Sequence, residues 1–192
     1  FFVPRPVREP QRWVEALRQR GIDAHALPLL AIEPLSDDSA LLEVRARADR
    51  FDAWMFVSAA AVEHFFDGWQ GPQGPRCWGT GPGTAGALQR AGVPDSRVDV
   101  PGSDAQQFDS EALWQIVQTQ VRPGTRVLFV RGGDAGGVPE GRDWLSRQVS
   151  GAGAVHETVV TYRRVPPAWS PQERRTAEAA TADASLWLFS SS

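Results

Sequence analysis

The pattern of hydrophobic and polar positions alternates between short apolar runs and longer amphipathic stretches. The runs at 53–57 and 127–130 are continuously apolar, which is typical of strands buried on both faces. The stretches at 59–66 and 110–121 place apolar residues at helical spacing. Because such strands and helices alternate along the whole chain, the pattern predicts an α/β fold with parallel sheets and crossover helices.

The chain also repeats itself. The apolar run at 1–3 leads to Arg5 just as the run at 128–130 leads to Arg131, and each is followed by a helix containing Trp, a Gly break and a strand ending near Pro. A second pair of strands, 55–57 and 186–189, each delivers Ser to the start of a predicted helix. The repetition predicts two similar parallel-sheet α/β domains joined by a two-segment linker, with chemistry in the cleft between them.

We expect the first domain to be discontinuous, built from residues 1–34 plus 168–192. The second domain is predicted to cover 35–167, including the linker that ends at Pro166-Pro167. The chain starts within a strand-like run without Met and stops where a helix should begin. We therefore expect the natural protein to continue beyond Ser192, which leaves the first domain truncated here.

Composition narrows the functional class. The formal net charge of −3 gives no global basic field for nucleic acid. Cys77 is the single cysteine, so no disulfide can form within the chain and a cytoplasmic location is the default. No apolar run approaches the roughly 20 residues of a membrane span. We expect a monomer that binds a small molecule, with neither nucleic acid nor membrane as a partner.

Ser58, Ser190 and Ser191 stand at predicted strand-to-helix turns. One interpretation is ordinary capping of the helix N-termini. The other is that these residues and the bare helix N–H groups bind carboxylates at the carboxyl ends of the strands, where open α/β sheets place their ligands. The duplication of the turn favours the second interpretation for the set.

The stretch Gly81-Pro82-Gly83-Thr84-Ala85-Gly86 fits the pattern G-x-G-x-x-G of dinucleotide sites. Asp99 lies 18 residues after Gly81, near the position of a ribose-binding acid. An NAD(P)-dependent oxidoreductase is therefore one alternative. The other interpretation is a tight turn into a helix that could hold any anion.

Other candidate groups are few. Tyr162, the only tyrosine, is predicted to end a strand, where its hydroxyl could pack or could donate a proton. Arg5 and Arg131 occupy matching places after matching strands, which suggests either structural pairing or a shared anion-binding role. The three histidines share no ligand spacing with each other or with Cys77, so we expect no metal site.

Several segments together resemble the uroporphyrinogen-III synthase family. Their order along nearly all of the chain carries the resemblance more than any single motif. The segments are the opening strand with Arg5-Pro6 and Trp13, the turn at 56–62, the Gly81–Leu88 helix start, Ser110-Glu111-Ala112-Leu113, the run from Arg131-Gly132 to Tyr162-Arg163, and the second turn at 188–191.

The resemblance implies a cofactor-free enzyme that closes hydroxymethylbilane into uroporphyrinogen III with inversion of ring D. It makes Tyr162 the candidate general acid. The implied substrate-binding residues are Arg5, Ser58, Ala59, Gly81, Thr84, Arg131, Gly132, Ser190 and Ser191. A two-domain solute-binding protein that closes on its ligand remains a third alternative, beside the oxidoreductase.

Overall fold

The computed structural model describes residues 2–3, 10–71, 74–102, 105, 107–182 and 185–188. The chain divides into two compact units. Unit 1 combines Phe1–Glu33 with Arg164–Ser192, and unit 2 is the continuous segment Pro34–Arg163.

Strands and helices alternate along the described chain. They are β1 (Phe2–Val3), α1 (Pro10–Arg18), β2 (His25–Ala26), β3 (Ala31–Pro34), α2 (Ser39–Ala46), β4 (Ala53–Phe56), α3 (Ala59–Phe66), β5 (Arg76–Gly79), α4 (Pro82–Arg90), β6 (Val98–Asp99), α5 (Ser110–Val117), β7 (Arg126–Gly133), α6 (Trp144–Gly151), β8 (Val155–Val165) and α7 (Pro171–Ala182). Short 3-10 turns occupy Ala48–Arg50, Asp95–Arg97 and Gln118–Gln120.

Unit 1 is held together by segments from both ends of the chain. β1 pairs with β2 in parallel, and Phe2 forms a parallel bridge with Trp187. The backbone N–H of Phe2 donates to the Leu186 carbonyl at 2.8 Å, and the Leu188 N–H donates to the Phe2 carbonyl at 2.8 Å. The returning segment thus lies directly beside the first strand.

Unit 2 contains a sheet with the strand order β8-β7-β4-β5-β6. β4 pairs in parallel with both β5 and β7, and β7 pairs in parallel with β8. β4 is buried along its whole length, as expected for a central parallel strand covered on both faces. The α/β fold class with a parallel sheet, predicted from the sequence, is confirmed.

Alternating side chains of β4 separate the two faces of this sheet. Met55 packs with Phe129 of β7 and with residues of α5 and α6 in one buried cluster. Trp54 and Phe56 face the other way, and both rings contact Phe65 of α3. One face of the sheet is therefore covered by α5 and α6, and the other face by α3.

Two strand ends differ from the sequence prediction. The sequence pattern ends β7 at Val130 and β8 at Tyr162, but β7 continues to Gly133 and β8 to Val165. Pairing continues because the glycine backbone hydrogen-bonds like any other, and Gly133 is in register with Arg163. Pro166 follows β8 and lacks the N–H that would extend the ladder.

None of the described helices is both long and apolar enough to cross a membrane.

Candidate active site

Several of the predicted site residues lie at the carboxyl edge of the unit 2 sheet. Ser58 follows β4, Gly81 follows β5, and Gly132 is near the end of β7. Because these strands are parallel, their carboxyl ends lie along the same edge, which is where open α/β sheets bind ligands.

Ser58 caps helix α3. Its Oγ accepts a hydrogen bond from the Ala61 N–H at 3.1 Å, and Ala59 is the first helical residue. Ser58 does cap this helix, since its side chain pairs with one of the donors that a helix N-terminus leaves open, and carboxylate binding at the same turn stays a prediction.

Ser58 also contacts the only tyrosine of the chain. Ser58 Oγ and Tyr162 Oη are 3.2 Å apart, and either hydroxyl can be the donor. Tyr162 is 2% exposed. The hydroxyl of a buried tyrosine usually has a hydrogen-bond partner, and here β8 and the α3 cap meet through that hydrogen bond.

His64 is a neighbour of Tyr162 that the sequence analysis did not place in the site. The two ring centroids lie 5.7 Å apart with an interplanar angle of 32°. His64 is on α3, three residues beyond Ala61 and therefore on the same side of the helix. His64 lies six residues beyond Ser58, which is not a spacing of helical neighbours, so only the tertiary contact with Tyr162 identifies it.

Gly132 lies beneath the Tyr162 ring. The two residues are direct partners in the β7–β8 register, and a Cβ atom built on Gly132 would lie 2.8 Å from Tyr162 Oη and closer still to the ring carbons Cζ and Cε2. Tyr162 therefore contacts both Ser58 and Gly132, two predicted site residues that are distant from it in sequence.

A bulge in β8 creates this pairing. Arg131 is in register with Val160, but the next residue, Gly132, is in register with Tyr162. Thr161 is the extra residue, and its Oγ1 donates to the Arg131 carbonyl at 3.5 Å. One inserted residue exchanges the faces of a strand, so the bulge directs Tyr162 toward α3.

Gly81 and Thr84 form the start of α4. Gly81 is the N-cap residue, with an extended backbone, and Pro82 follows it at the first helical position. Thr84 is buried, and a Cβ on Gly79 would lie 2.7 Å from its Cγ2, so its methyl group packs against the end of β5. The turn is tight because the missing side chain of Gly79 leaves room for the methyl group of Thr84.

The dinucleotide alternative receives no support from this turn. Asp99, the candidate ribose ligand, is held by Arg76 through two hydrogen bonds of 2.6 Å. The third glycine of such a motif normally allows close packing of the helix on the strand. A Cβ on Gly86 would meet only Arg90 Nη1, at an ordinary 3.5 Å.

Arg131 lies at the same edge but on the opposite face from Tyr162, because β7 alternates. Its side chain is 7% exposed and its Nη1 lies 3.3 Å from Asp143 Oδ1. Its Nη2 donates to the Arg142 carbonyl at 3.5 Å, while its Nε is buried without a hydrogen-bond partner. These are long contacts for a guanidinium with five donors, so Arg131 has capacity for a further anion.

Arg5, Ser190 and Ser191 lie outside the described residues, and their predicted roles stay predictions. Within the described ranges, no three or more His, Cys, Asp and Glu side chains group in a way that could hold a metal ion. Burial raises the pKa of the Cys77 thiol to about 12, which makes it a poor nucleophile.

Comparison with known proteins gives one family. The family model described as uroporphyrinogen-III synthase HemD matches residues 11–192. A mutant uroporphyrinogen III synthase from the extremely thermophilic bacterium Thermus thermophilus superposes with a TM-score of 0.60 at 19% identity, covering 94% of this chain and 68% of that one. At this identity the likeness shows the fold.

Two further solved structures of the Thermus thermophilus enzyme are similar at 16% identity. Their TM-scores are 0.49 and 0.45, with 93% and 94% of this chain covered and 66% and 68% of theirs. The chain thus spans about two thirds of the length of these enzymes. Since the family model covers nearly the whole sequence, this chain belongs to the uroporphyrinogen-III synthase family.

Proposed function

We propose that this protein is a uroporphyrinogen-III synthase, a lyase of tetrapyrrole and heme biosynthesis that acts on hydroxymethylbilane. Membership of the family supports the reaction. The observation that carries the proposal is the buried phenol of Tyr162, held by Ser58 at the carboxyl edge of the sheet. That edge is where a substrate is expected in an open α/β sheet.

The reaction needs one proton at its start. The terminal hydroxyl of hydroxymethylbilane leaves with a proton as water, and the remaining azafulvene is electrophilic. The substituted carbon of ring D attacks it to give a spiro intermediate. This intermediate fragments, the chain recloses with ring D inverted, and the ring loses a proton as it regains its aromaticity. The pyrroles supply the electrons, and we propose that no cofactor takes part.

Tyr162 is the proposed general acid. A positioned side chain that gives its proton to a leaving group contributes about 10²–10⁴-fold to a rate. The phenol would protonate the departing hydroxyl and recover a proton at the final step. Ser58 Oγ, 3.2 Å away, accepts from the phenol or donates to it and so stays available in both stages.

The protein's larger task is to hold a flexible polycarboxylate in one reactive shape, which suppresses uncatalysed closure to the type I isomer. We propose that helix N-terminal N–H groups bind its carboxylates at the turns of Ser58-Ala59 and Gly81–Thr84. The guanidinium of Arg131 would add to this surface. Gly132, also predicted to bind substrate, lies against the Tyr162 ring and would act through that ring. Arg5, Ser190 and Ser191 are proposed for the same role.

Other features of the proposal come from the sequence pattern and the family. We propose two similar domains, one built from residues 1–34 plus 168–192 and the other from 35–167, with ring closure in the cleft between them. We also propose that the protein is a monomer in the cytoplasm. Its proposed partner is hydroxymethylbilane, and neither nucleic acid nor membrane.

The test is a coupled assay in which hydroxymethylbilane is generated in place. After the reaction, the uroporphyrinogen products are oxidised to porphyrins and the isomers are separated. We expect type III product well above the enzyme-free background. Type I product alone, from folded protein, would overturn the proposal. A parallel incubation with and without added NADPH checks the cofactor statement, because the type III yield should not change.

A further inference from the structure

We propose that Gly132 is a positioning residue for the reaction. Its bare Cα lets the Tyr162 ring lie across β7, so that the phenolic oxygen reaches Ser58 Oγ. The consequence for catalysis rests on the proposed function, but the structural relationship among the three residues does not.

The argument begins with the absence of a side chain at this position. A Cβ on Gly132 would lie 2.8 Å from Tyr162 Oη and would overlap the Cζ and Cε2 atoms of the ring. Real Cβ contacts do not come below about 3.0 Å, so the ring would have to move for any other residue to fit. Glycine is otherwise unfavourable inside a strand, and it marks a close approach of another group here.

The ring has little freedom to move. Tyr162 is 2% exposed, the His64 ring lies on it with 5.7 Å between centroids, and Ser58 Oγ holds its hydroxyl. Ser58 is itself held by its cap bond to the Ala61 N–H. A displaced ring would therefore lose the Ser58 contact before it found another position.

The bulge and the glycine act together. The extra residue Thr161 directs Tyr162 onto the α3 face, and Gly132 is the residue of β7 that then stands opposite it. The bulge alone would place the phenol against a side chain, and the glycine alone would face a threonine. The bulge at Thr161 and the missing side chain of Gly132 are therefore both needed to place the phenol against Ser58.

The experiment compares Gly132→Ala with Gly74→Ala. Gly74 is exposed and a Cβ there meets nothing within 4 Å, so it controls for the loss of a glycine. Tyr162 is the only tyrosine in the sequence. The intensity ratio of the tyrosine Fermi doublet in the Raman spectrum depends on the hydrogen bonding of the phenol. In this protein it therefore reports the hydroxyl of Tyr162 alone. We expect the doublet ratio to change in Gly132→Ala and to stay as in the wild type in Gly74→Ala.

The same variants separate positioning from binding. A reactive group misplaced by about 1 Å costs on the order of 100-fold in rate, so we expect kcat of Gly132→Ala to fall by roughly that factor while KM stays within about twofold. An unchanged doublet ratio, or a wild-type kcat in folded Gly132→Ala protein, overturns the inference. If the wild type itself forms no type III isomer, the proposed function fails, while the Raman comparison still decides the relationship of Gly132 to Tyr162.

Should Gly132→Ala fail to fold, a second comparison decides. In a Tyr162→Ala background the ring is gone, so adding Gly132→Ala should leave the urea midpoint unchanged or raise it, because alanine restricts the unfolded chain more than glycine does. If the double variant also fails to fold while Tyr162→Ala alone folds, the glycine serves the backbone and not the phenol.

Discussion

Ser58 Oγ and Tyr162 Oη lie within hydrogen-bonding distance, 3.2 Å apart, although 104 residues separate them along the chain. The contact joins the start of α3 to the strand β8, two elements that belong to opposite ends of unit 2 in sequence. Considered separately, Ser58 is a helix cap and Tyr162 is a buried aromatic residue. Together they form a hydrogen-bonded pair at the carboxyl edge of the sheet.

Replacing Tyr162 with Phe tests the role of its proton. The ring and its packing on Gly132 and His64 remain, while the hydroxyl is lost. We expect kcat to fall by about 100-fold with KM nearly unchanged, since general acid catalysis contributes about 10²–10⁴-fold and backbone binding would survive. Isomer-resolved rates from the coupled assay provide the measurement. A wild-type rate would assign the proton to another group, whereas complete loss of activity in folded protein would make the phenol more important than substrate positioning.

Ser58→Ala should destabilise the protein more than loss of a helix cap alone. Asp109→Ala is the matched control, because Asp109 caps the eight-residue helix α5 through Oδ1, 2.8 Å from the Ala112 N–H. Cap loss costs about 1 kcal/mol in both variants, and the phenol contact adds about 1 kcal/mol for Ser58 only. Urea unfolding measures both, and the extra cost should disappear when Tyr162 is already Phe. Equal costs in the two variants would leave Ser58 as a cap and no more.

The Arg131–Asp143 pair gives a prediction on substrate binding. Asn at position 143 keeps an oxygen that can accept from the buried Arg131, and solvent screens the 69% exposed Asp143 carboxylate, so Asp143→Asn should lower stability by only about 1 kcal/mol. Arg131→Gln should raise KM about tenfold at constant kcat, because a hydrogen bond to a charged group is worth about 1.5–3 kcal/mol. We expect Asp143→Asn to leave KM equal or lower, since the carboxylate that competes for the guanidinium is gone. Equal KM values in wild type and folded Arg131→Gln protein would assign Arg131 a structural role only.

We expect the buried thiol of Cys77 to make the protein less stable at high pH. Burial raises the pKa of its thiol from an ordinary 9.0 to about 12 in the folded protein. The unfolded chain therefore loses this proton first as the pH rises above 9. The contribution of Cys77 to the free energy of unfolding is complete below pH 9. Above pH 9 the free energy of unfolding falls by about 1.4 kcal/mol per pH unit until the thiol of the folded protein also titrates. Urea unfolding at pH 8 and pH 10 should show this decrease in the wild type and lack it in Cys77→Ala. The same slope in both proteins would assign the pH dependence to other groups.

The elements of the fold could largely be predicted, and the contacts of the site could not. Helix α3 begins and ends at the residues predicted from its apolar spacing, because Ser58 caps it and its buried residues recur at helical intervals. The ends of β7 and β8 were predicted too early, since glycine and arginine weaken an apolar pattern while their backbones continue the ladder. Ser58 and Tyr162 were both singled out, but nothing in the pattern predicted that they touch.

The alternation of strands and helices, the α/β class and the turns that carry Ser58 and Gly81 follow from local periodicity and capping, so the amino-acid pattern is enough to predict them. The contacts of Tyr162 depend on how the strands pair in the folded protein. One extra residue in β8, Thr161, changes the face on which the ring lies, and Gly132 leaves the space that the ring fills. A register shift between strands depends on pairing over a distance of about thirty residues, so it leaves no signal in the local pattern of either strand.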